Sequence, residues 1–268
     1  MRRLVRRPRR MSSEPDGQPI IEFQKAGYRL PNGKVLLKEV TLAVPSGETL
    51  VLLGRSGAGK TTALRLINRL LEPSAGKVCV EGRSTLDWDP IALRRRIGYV
   101  IQESGLFPHC TVEQNVSLVP RLQRWPAERI EVRLRELLAL VGLDQGEFLP
   151  RYPHELSGGQ RQRVGLARAL AADPPILLMD EPLGALDPLT RGDVRREFHD
   201  LQKRLRKTVV IVTHDISEAL LLGSRIGLME AGELRGVYSR KEFLNATEPL
   251  AAAYTAQLRA LEGAGDRT

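Results

Sequence analysis

The chain has 268 residues, 42% hydrophobic, 27% charged and only 4% aromatic, with a formal net charge of +9. That length suits one large domain or two closely joined lobes, with a core of Leu, Val, Ile and Ala rather than rings. The two cysteines, Cys79 and Cys110, lie in no CxxC or Cys/His cluster, which speaks against a zinc site or a disulfide framework and for reduced thiols.

The first ten residues, "MRRLVRRPRR", hold six arginines and no acid, so without them the charge falls to +3. An arm of this kind, reaching to about residue 19, suits nucleic acid or anionic lipid. It equally suits a disordered extension, or a reading frame that truly begins at Met11. It lacks the apolar stretch of a secretory signal. No apolar run approaches the roughly 18 residues that cross a bilayer; the longest are Leu137–Leu143 and Pro174–Met179.

"IIEFQ", 20–24, predicts a strand, and "KEVTLAV", 38–44, alternates like a half-buried antiparallel strand. Between them, "LPNGK" is turn chemistry centred on Asn32-Gly33. "TLVLLG" (49–54), "ILLMD" (176–180) and "VVIVTHD" (209–215) are apolar on both faces, as in parallel strands covered by helices on each side. In 61–71, Ala63, Leu64, Ile67, Leu70 and Leu71 form one helical stripe, which "EPSAG" ends with Pro73 and Gly76. Residues of about 103–172 read as an inserted helical lobe that includes the amphipathic "AERIEVRLRELLALVGL", 127–143. The last thirty residues are Ala-rich without a strong signal, a tail over 251–268. The sum is an α/β body over 20–250, with a parallel sheet and a smaller antiparallel section near its N-terminus.

"GRSGAGKTT", 54–62, matches G-x-x-x-x-G-K-[ST] and joins a buried strand to a helix, the context that supports a phosphate loop over an ordinary glycine-rich turn. Gly54, Gly57 and Gly59 let the backbone curl around an anion. With Arg55, Ser56, Ala58 and Thr62 they form the expected ATP cradle at a helix N-terminus. Lys60 reaches the β- and γ-phosphates, and the Thr61 hydroxyl is a Mg²⁺ ligand. "ILLMDE" sets Asp180 and Glu181 at the carboxyl end of a buried strand, the edge where ligands sit. Asp180 is placed to hold Mg²⁺ through water. Glu181 is placed to polarise an attacking water or take its proton; a capping acid pair is the plainer alternative. His214, ending the next strand, is placed to bond the γ-phosphate, although a lone strand-end His is more often structural. Gln102, after "GYVI", offers an amide oxygen to both Mg²⁺ and water.

"LSGGQRQRVGLARAL", 156–170, carries a second glycine run. Ser157 caps a helix, and the Gly158 and Gly159 amides face outward. Lys60, Mg²⁺ and the acids already surround the first γ-phosphate, so a second cradle makes sense for another chain's nucleotide. Two chains then pair head to tail, with Leu156, Ser157, Gly158, Gly159, Gln160 and Asp187 of "GALD" (184–187) closing over the partner's ATP. Hydrolysis would open the pair.

"GRSGAGKT", Gln102, "LSGGQ", "ILLMDE", "GALD" and "VTHD" stand in the order and spacing of ABC-transporter ATPase subunits, which the chain resembles from about residue 20 to 235. The resemblance implies a P-loop NTPase with a RecA-like core, an inserted helical subdomain and ATP-driven strokes passed to membrane-spanning permease subunits. Gln102 would sit at the hinge toward those partners. "LINRLLEPSAGKV", "LRRRIGYVIQESGLFPHCTVEQNV", "LVPRLQRWP" and "RYPHELSGGQRQRVGLARALAADP" are similar to the osmoprotectant branch. That branch carries glycine betaine, choline, carnitine or proline, works with an extracytoplasmic substrate-binding protein and sits on the cytoplasmic face of the membrane.

There are departures from the pattern. The ring that stacks on adenine in such proteins falls at Leu30, so Tyr28, two residues earlier on the same strand face, is the substitute. Phe is common where Leu183 stands, and an apolar residue where Cys110 stands. Longer members add C-terminal modules that sense ionic strength, and these 268 residues end before them. The rival readings are an ABC-type ATPase acting on nucleic acid or ribosomes through the Arg-rich arm, an ATP-bound regulator without turnover, an exporter, or an importer of another solute such as an amino acid. One ATPase unit, no long heptad run, and the presence of Glu181 and His214 weigh against the first two.

Overall fold

The computed structural model describes residues 19–102, 105–184 and 207–265. Two sheets organise it. The smaller is antiparallel, in the order β2-β1-β4-β5, with β1 Pro19–Arg29, β2 Val35–Pro45, β4 Ala75–Val80 and β5 Arg83–Ser84. The larger has the order β10-β9-β3-β8-β7-β6, with β3 Thr49–Leu53, β6 Ile97–Val100, β7 Ile176–Asp180, β8 Thr208–Thr213, β9 Arg225–Glu230 and β10 Glu233–Ser239. Its five inner and edge strands β9, β3, β8, β7 and β6 run parallel, and β10 closes one edge antiparallel.

The apolar strands have two buried faces because two cores meet at this sheet. Leu50 and Leu52 of β3, Ile176 and Leu178 of β7, and Val210 and Val212 of β8 face one cluster, which contains Ile21 and Phe23 of β1 and Leu64 and Leu66 of the first helix. The alternate residues Val51, Leu53, Leu177, Met179, Val209 and Ile211 face the other. Period-2 alternation in a sheet covered on both sides produces this division.

The first helix, α1, spans Lys60–Ile67. It is shorter than the stripe to Leu71 predicts. Asn68 caps it, Arg69 adopts φ 52, and Leu70 lies outside it at 49% exposure. The Ala75-Gly76 that ends the helical pattern instead opens β4, an inner strand paired with both β1 and β5. A short helix α2, Pro90–Arg95, precedes β6.

Between β6 and β7 the described residues carry helices and no strand: α3 Val112–Leu122, α4 Ala127–Leu140, α5 Gln145–Phe148 and α6 Gly158–Leu170. Ile130, Leu134, Leu137 and Leu138 form the buried face of α4. Beyond β8 come α7 Ile216–Leu222, α8 Arg240–Leu244 and α9 Pro249–Gly265. The stretch read as a tail from 251 is thus helical, and Ala251 and Tyr254 are buried with Phe243 in the core that holds Val51 and Leu53. Among the described residues no helix is long and apolar enough to cross a membrane.

Candidate functional site

The loop 54–59 leaves β3 and enters α1 through backbone shapes only glycine adopts easily. Gly57 has φ +79 and Gly59 φ +97, the left-handed region. A Cβ on Gly59 would lie 2.7 Å from the Leu36 carbonyl, and one on Gly54 2.3 Å from that of Met229. The loop is also tied from outside. Gly232 N–H donates to the Ala58 carbonyl at 3.1 Å, and Lys38 N–H to the Gly232 carbonyl at 2.8 Å. The β9–β10 turn therefore braces the cradle against β2.

Lys60 is 5% exposed. Its ammonium donates to the Gly54 carbonyl at 2.7 Å and the Arg55 carbonyl at 3.0 Å. Burial lowers its pKa, and the charges of Glu181 and Asp180 push the other way. A buried cation held by its own loop at the head of a helix fits a phosphate. Ser56 and Gly57 are exposed, and Thr61 and Thr62 are half-buried at the start of α1.

The Thr61 hydroxyl donates to Asp180 Oδ1 at 2.8 Å. Asp180 is 6% exposed, at the carboxyl end of β7. Burial raises its pKa, while the Thr61 hydrogen bond and the Arg65 charge oppose that rise. Thr61, Asp180 and Gln102 line one cavity of about 570 Å³ with Arg65 and Tyr99. Hydroxyl, carboxylate and amide oxygens form a hard-donor set of the kind Mg²⁺ takes.

Glu181, with φ 46, turns the chain sharply after β7, and its N–H donates to the Val212 carbonyl of β8 at 3.0 Å. That bond brings the ends of the two strands together. His214 Nδ1 lies 3.4 Å from Glu181 Oε1, with the His side chain 58% exposed and the Glu side chain 23%. A carboxylate and an imidazole at this separation, half open to solvent, can share the handling of one water.

Sequence reasoning missed two neighbours. Tyr99 donates from its hydroxyl to Asp180 Oδ2 at 3.4 Å. Burial raises the Tyr99 pKa and the nearby Asp180 charge raises it further. Arg65 lies beside both. Residue spacing alone carries the signal here: Tyr99 lies three residues before Gln102, on the strand adjacent to β7.

The glycine run at 156–160 forms its own closed unit. Ser157 Oγ accepts from Gln160 N–H at 3.2 Å, and Gln160 Oε1 accepts from Ser157 N–H at 2.8 Å. This is a reciprocal capping box at the head of α6. Ser157 and Gly158 are exposed, Gly159 and Leu156 are buried, and Gln160 is half-buried. Asp187 and the rest of "GALD" beyond Gly184 lie outside the described residues. Tyr28 is half-buried against the core cluster of Ile21 and Phe23, and register shifts on either side of it break the strand alternation that links it to Leu30.

A second cavity, about 520 Å³, opens between the sheet and the helices. Ile101, Phe107, Leu118 and Val119 line it with Arg94, Arg95 and Arg168.

A phosphate loop, an acid pair at a parallel-sheet edge and a capped glycine run on an inserted helical unit define an ATP-binding cassette of the transporter class. Residues 37–184 match the family described as "ABC transporter", and the chain belongs to that family. It is 52% identical over 215 residues to the choline transport ATP-binding protein OpuBA of Bacillus subtilis, an alignment covering 80% of this chain and 56% of the relative. It is 50% identical over 225 residues to the glycine betaine/carnitine/choline transport ATP-binding protein OpuCA of the same species, covering 84% and 59%. It is 53% identical over 205 residues to the osmoprotectant import ATP-binding protein OsmV of Salmonella typhimurium, covering 76% and 54%. The matches thus span between half and three-fifths of these relatives' length.

Among solved structures, cbiO1 from Clostridium perfringens, part of the ABC transporter complex cbiONQ, superposes with a TM-score of 0.78 at 28% identity, covering 91% of this chain and 97% of that one. The ATP-binding cassette MJ0796, a dimer in a post-hydrolysis state bound to ADP and Pi, gives 0.72 at 34% identity, covering 82% and 98%.

Proposed function

We propose that this chain is the ATP-binding and ATP-hydrolysing subunit of an importer for a quaternary-amine osmoprotectant of the choline or glycine betaine type. It would work as a pair of copies on the cytoplasmic face of the membrane, beneath permease subunits served by an extracytoplasmic substrate-binding protein. The observation that carries the ATPase part is the convergence of Lys60, Thr61, Asp180, Glu181 and His214 on one sheet edge. The relatives' stated substrates support the solute class, and the dimeric MJ0796 cassette supports the pairing.

In this reading the loop amides of 54–59 and the Lys60 ammonium hold the β- and γ-phosphates, and Tyr28 lies against adenine. Thr61, Asp180 and Gln102 would hold Mg²⁺, which when bound neutralises charge on the phosphate oxygens. Glu181 takes a proton from the water that attacks the γ-phosphorus, and His214 orients that water and the phosphate. Leu156, Ser157, Gly158, Gly159, Gln160 and Asp187 of the second copy close over the γ-phosphate. The helix dipole of α6 and the exposed amides near Gly158 favour an anion there. The apolar cavity rimmed by Arg94, Arg95 and Arg168, with Ile101 and Phe107 in its lining, suits a short permease segment.

The test is to tag the chain in its own cell, purify it from membranes with whatever co-purifies, and reconstitute the complex in liposomes with ATP. ATP-dependent uptake of labelled choline or glycine betaine supports the reading. ATP hydrolysis with uptake of neither keeps the ATPase and overturns the solute class.

A further inference from the structure

We propose that Thr213 and Glu218 are positioning residues that hold His214 toward Glu181 during ATP hydrolysis; the proposal rests on the role given to His214 above. Glu218, on α7, is a carboxylate at 3% exposure, and Thr213, ending β8, is at 2%. Burying a carboxylate is costly unless it is well hydrogen-bonded. Here the Thr213 hydroxyl donates to Glu218 Oε2 at 2.6 Å, the length of a charge-assisted O–H···O⁻ bond.

That bond fixes the hydroxyl hydrogen, and so aims the oxygen lone pairs elsewhere. Asp215 N–H uses them, donating to Thr213 Oγ1 at 3.0 Å. Asp215 in turn caps α7, its Oδ1 accepting from Ser217 N–H at 2.7 Å and Glu218 N–H at 3.2 Å. Thr213, Asp215 and Glu218 therefore form a closed loop of hydrogen bonds, and His214 is the residue it straddles. One step earlier, Val212 O accepts from Glu181 N–H. The backbone on both sides of His214 is thus pinned, while its ring stands 58% exposed and 3.4 Å from Glu181. A rigid backbone beneath an exposed ring keeps the imidazole beside the Glu181 carboxylate without the pinning bonds competing for its nitrogens. Removing the Thr213 hydroxyl leaves the Glu218 oxygen and the Asp215 N–H without this partner and loosens the turn that carries His214.

The experiment is a double-mutant cycle on the full chain, read by steady-state and single-turnover ATP hydrolysis with Mg²⁺. Thr213→Val should lower kcat about tenfold with KM for ATP within about twofold, and Thr213→Ser should restore most of the rate. In a His214→Ala background the same Thr213→Val change should alter the residual rate by less than about twofold, because the effect runs through the imidazole. A wild-type rate for Thr213→Val, or an equal loss in both backgrounds, overturns the proposal while the ATPase reading stands. Wild-type turnover by His214→Ala overturns the role of His214 and this proposal with it. If Thr213→Val lacks the cooperative melt of the parent, Glu218→Gln takes its place in the same cycle with the same expectations.

Discussion

Thr61 and Asp180, separated by 119 positions in sequence, share a 2.8 Å hydrogen bond in which the threonine hydroxyl donates to the carboxylate. The first residue turns the phosphate loop into α1; the second ends β7 two strands away. Their meeting requires the parallel order β3-β8-β7, which brings the carboxyl ends of separate strands to one edge. The placing of the carboxylate costs the protein something, which the bond only partly offsets. Asp180 is buried, and burial holds its pKa above the ordinary carboxylate value.

That cost yields a prediction. With the folded pKa raised, the ionised form is disfavoured in the native state. The associated stability is complete below the unfolded carboxylate pKa and is lost as pH rises through the folded value. Asp180→Asn, which still accepts from Thr61, should therefore melt higher than the parent at pH 7 without nucleotide. The difference should vanish in acid, and Mg²⁺-dependent hydrolysis should be lost. Melting curves from about pH 3 to 8, with hydrolysis assayed alongside, check both halves.

Lys60→Ala removes a buried ammonium that already holds two loop carbonyls. Loss of charge-assisted bonds to phosphate should weaken ATP binding by about 10- to 100-fold. Titration of a fluorescent ATP analogue measures it. The loop itself should survive, since the brace from Gly232 to Ala58 does not involve this side chain.

Much of this site was legible in the sequence. The runs "TLVLL", "ILLMD" and "TVVIVT" are buried on both faces, so their apolar continuity announced parallel strands, and the loop and acids follow directly from them. The failures have local causes. The helical stripe continued to Leu71, but Arg69 takes a left-handed conformation and Leu70 faces solvent; periodicity alone does not see that break. The strand Ala75–Val80 has three exposed and three buried residues in sequence rather than alternation. The pair β9 and β10 turns at Ala231-Gly232, both at positive φ, and β10 has no fully buried residue to mark it. Tyr99 shows its role only through the register of β6 on β7. The Ser157 cap was legible from residue type, and the reciprocal bond with Gln160 follows the S-x-x-Q spacing.

Ser157→Arg tests the second glycine run. It removes a helix cap at a cost of about 1 kcal/mol and places a long cation on an exposed surface. The monomer should still bind ATP with near-parental affinity, because the bonds of Ser157 stay within 157–160. Pairing of chains in the presence of ATP should be blocked. Parallel nucleotide titration and light scattering separate these two outcomes.

The most direct measurement is the solution mass of Glu181→Gln with and without ATP. Glutamine keeps the turn after β7 and its N–H bond to Val212, but it cannot take a proton from water. Glu181→Gln should show intact ATP binding, turnover reduced by at least about 100-fold, and a shift from one chain to two on adding ATP. Parental turnover by this variant, or a mass that stays at one chain while ATP is bound, would contradict this expectation.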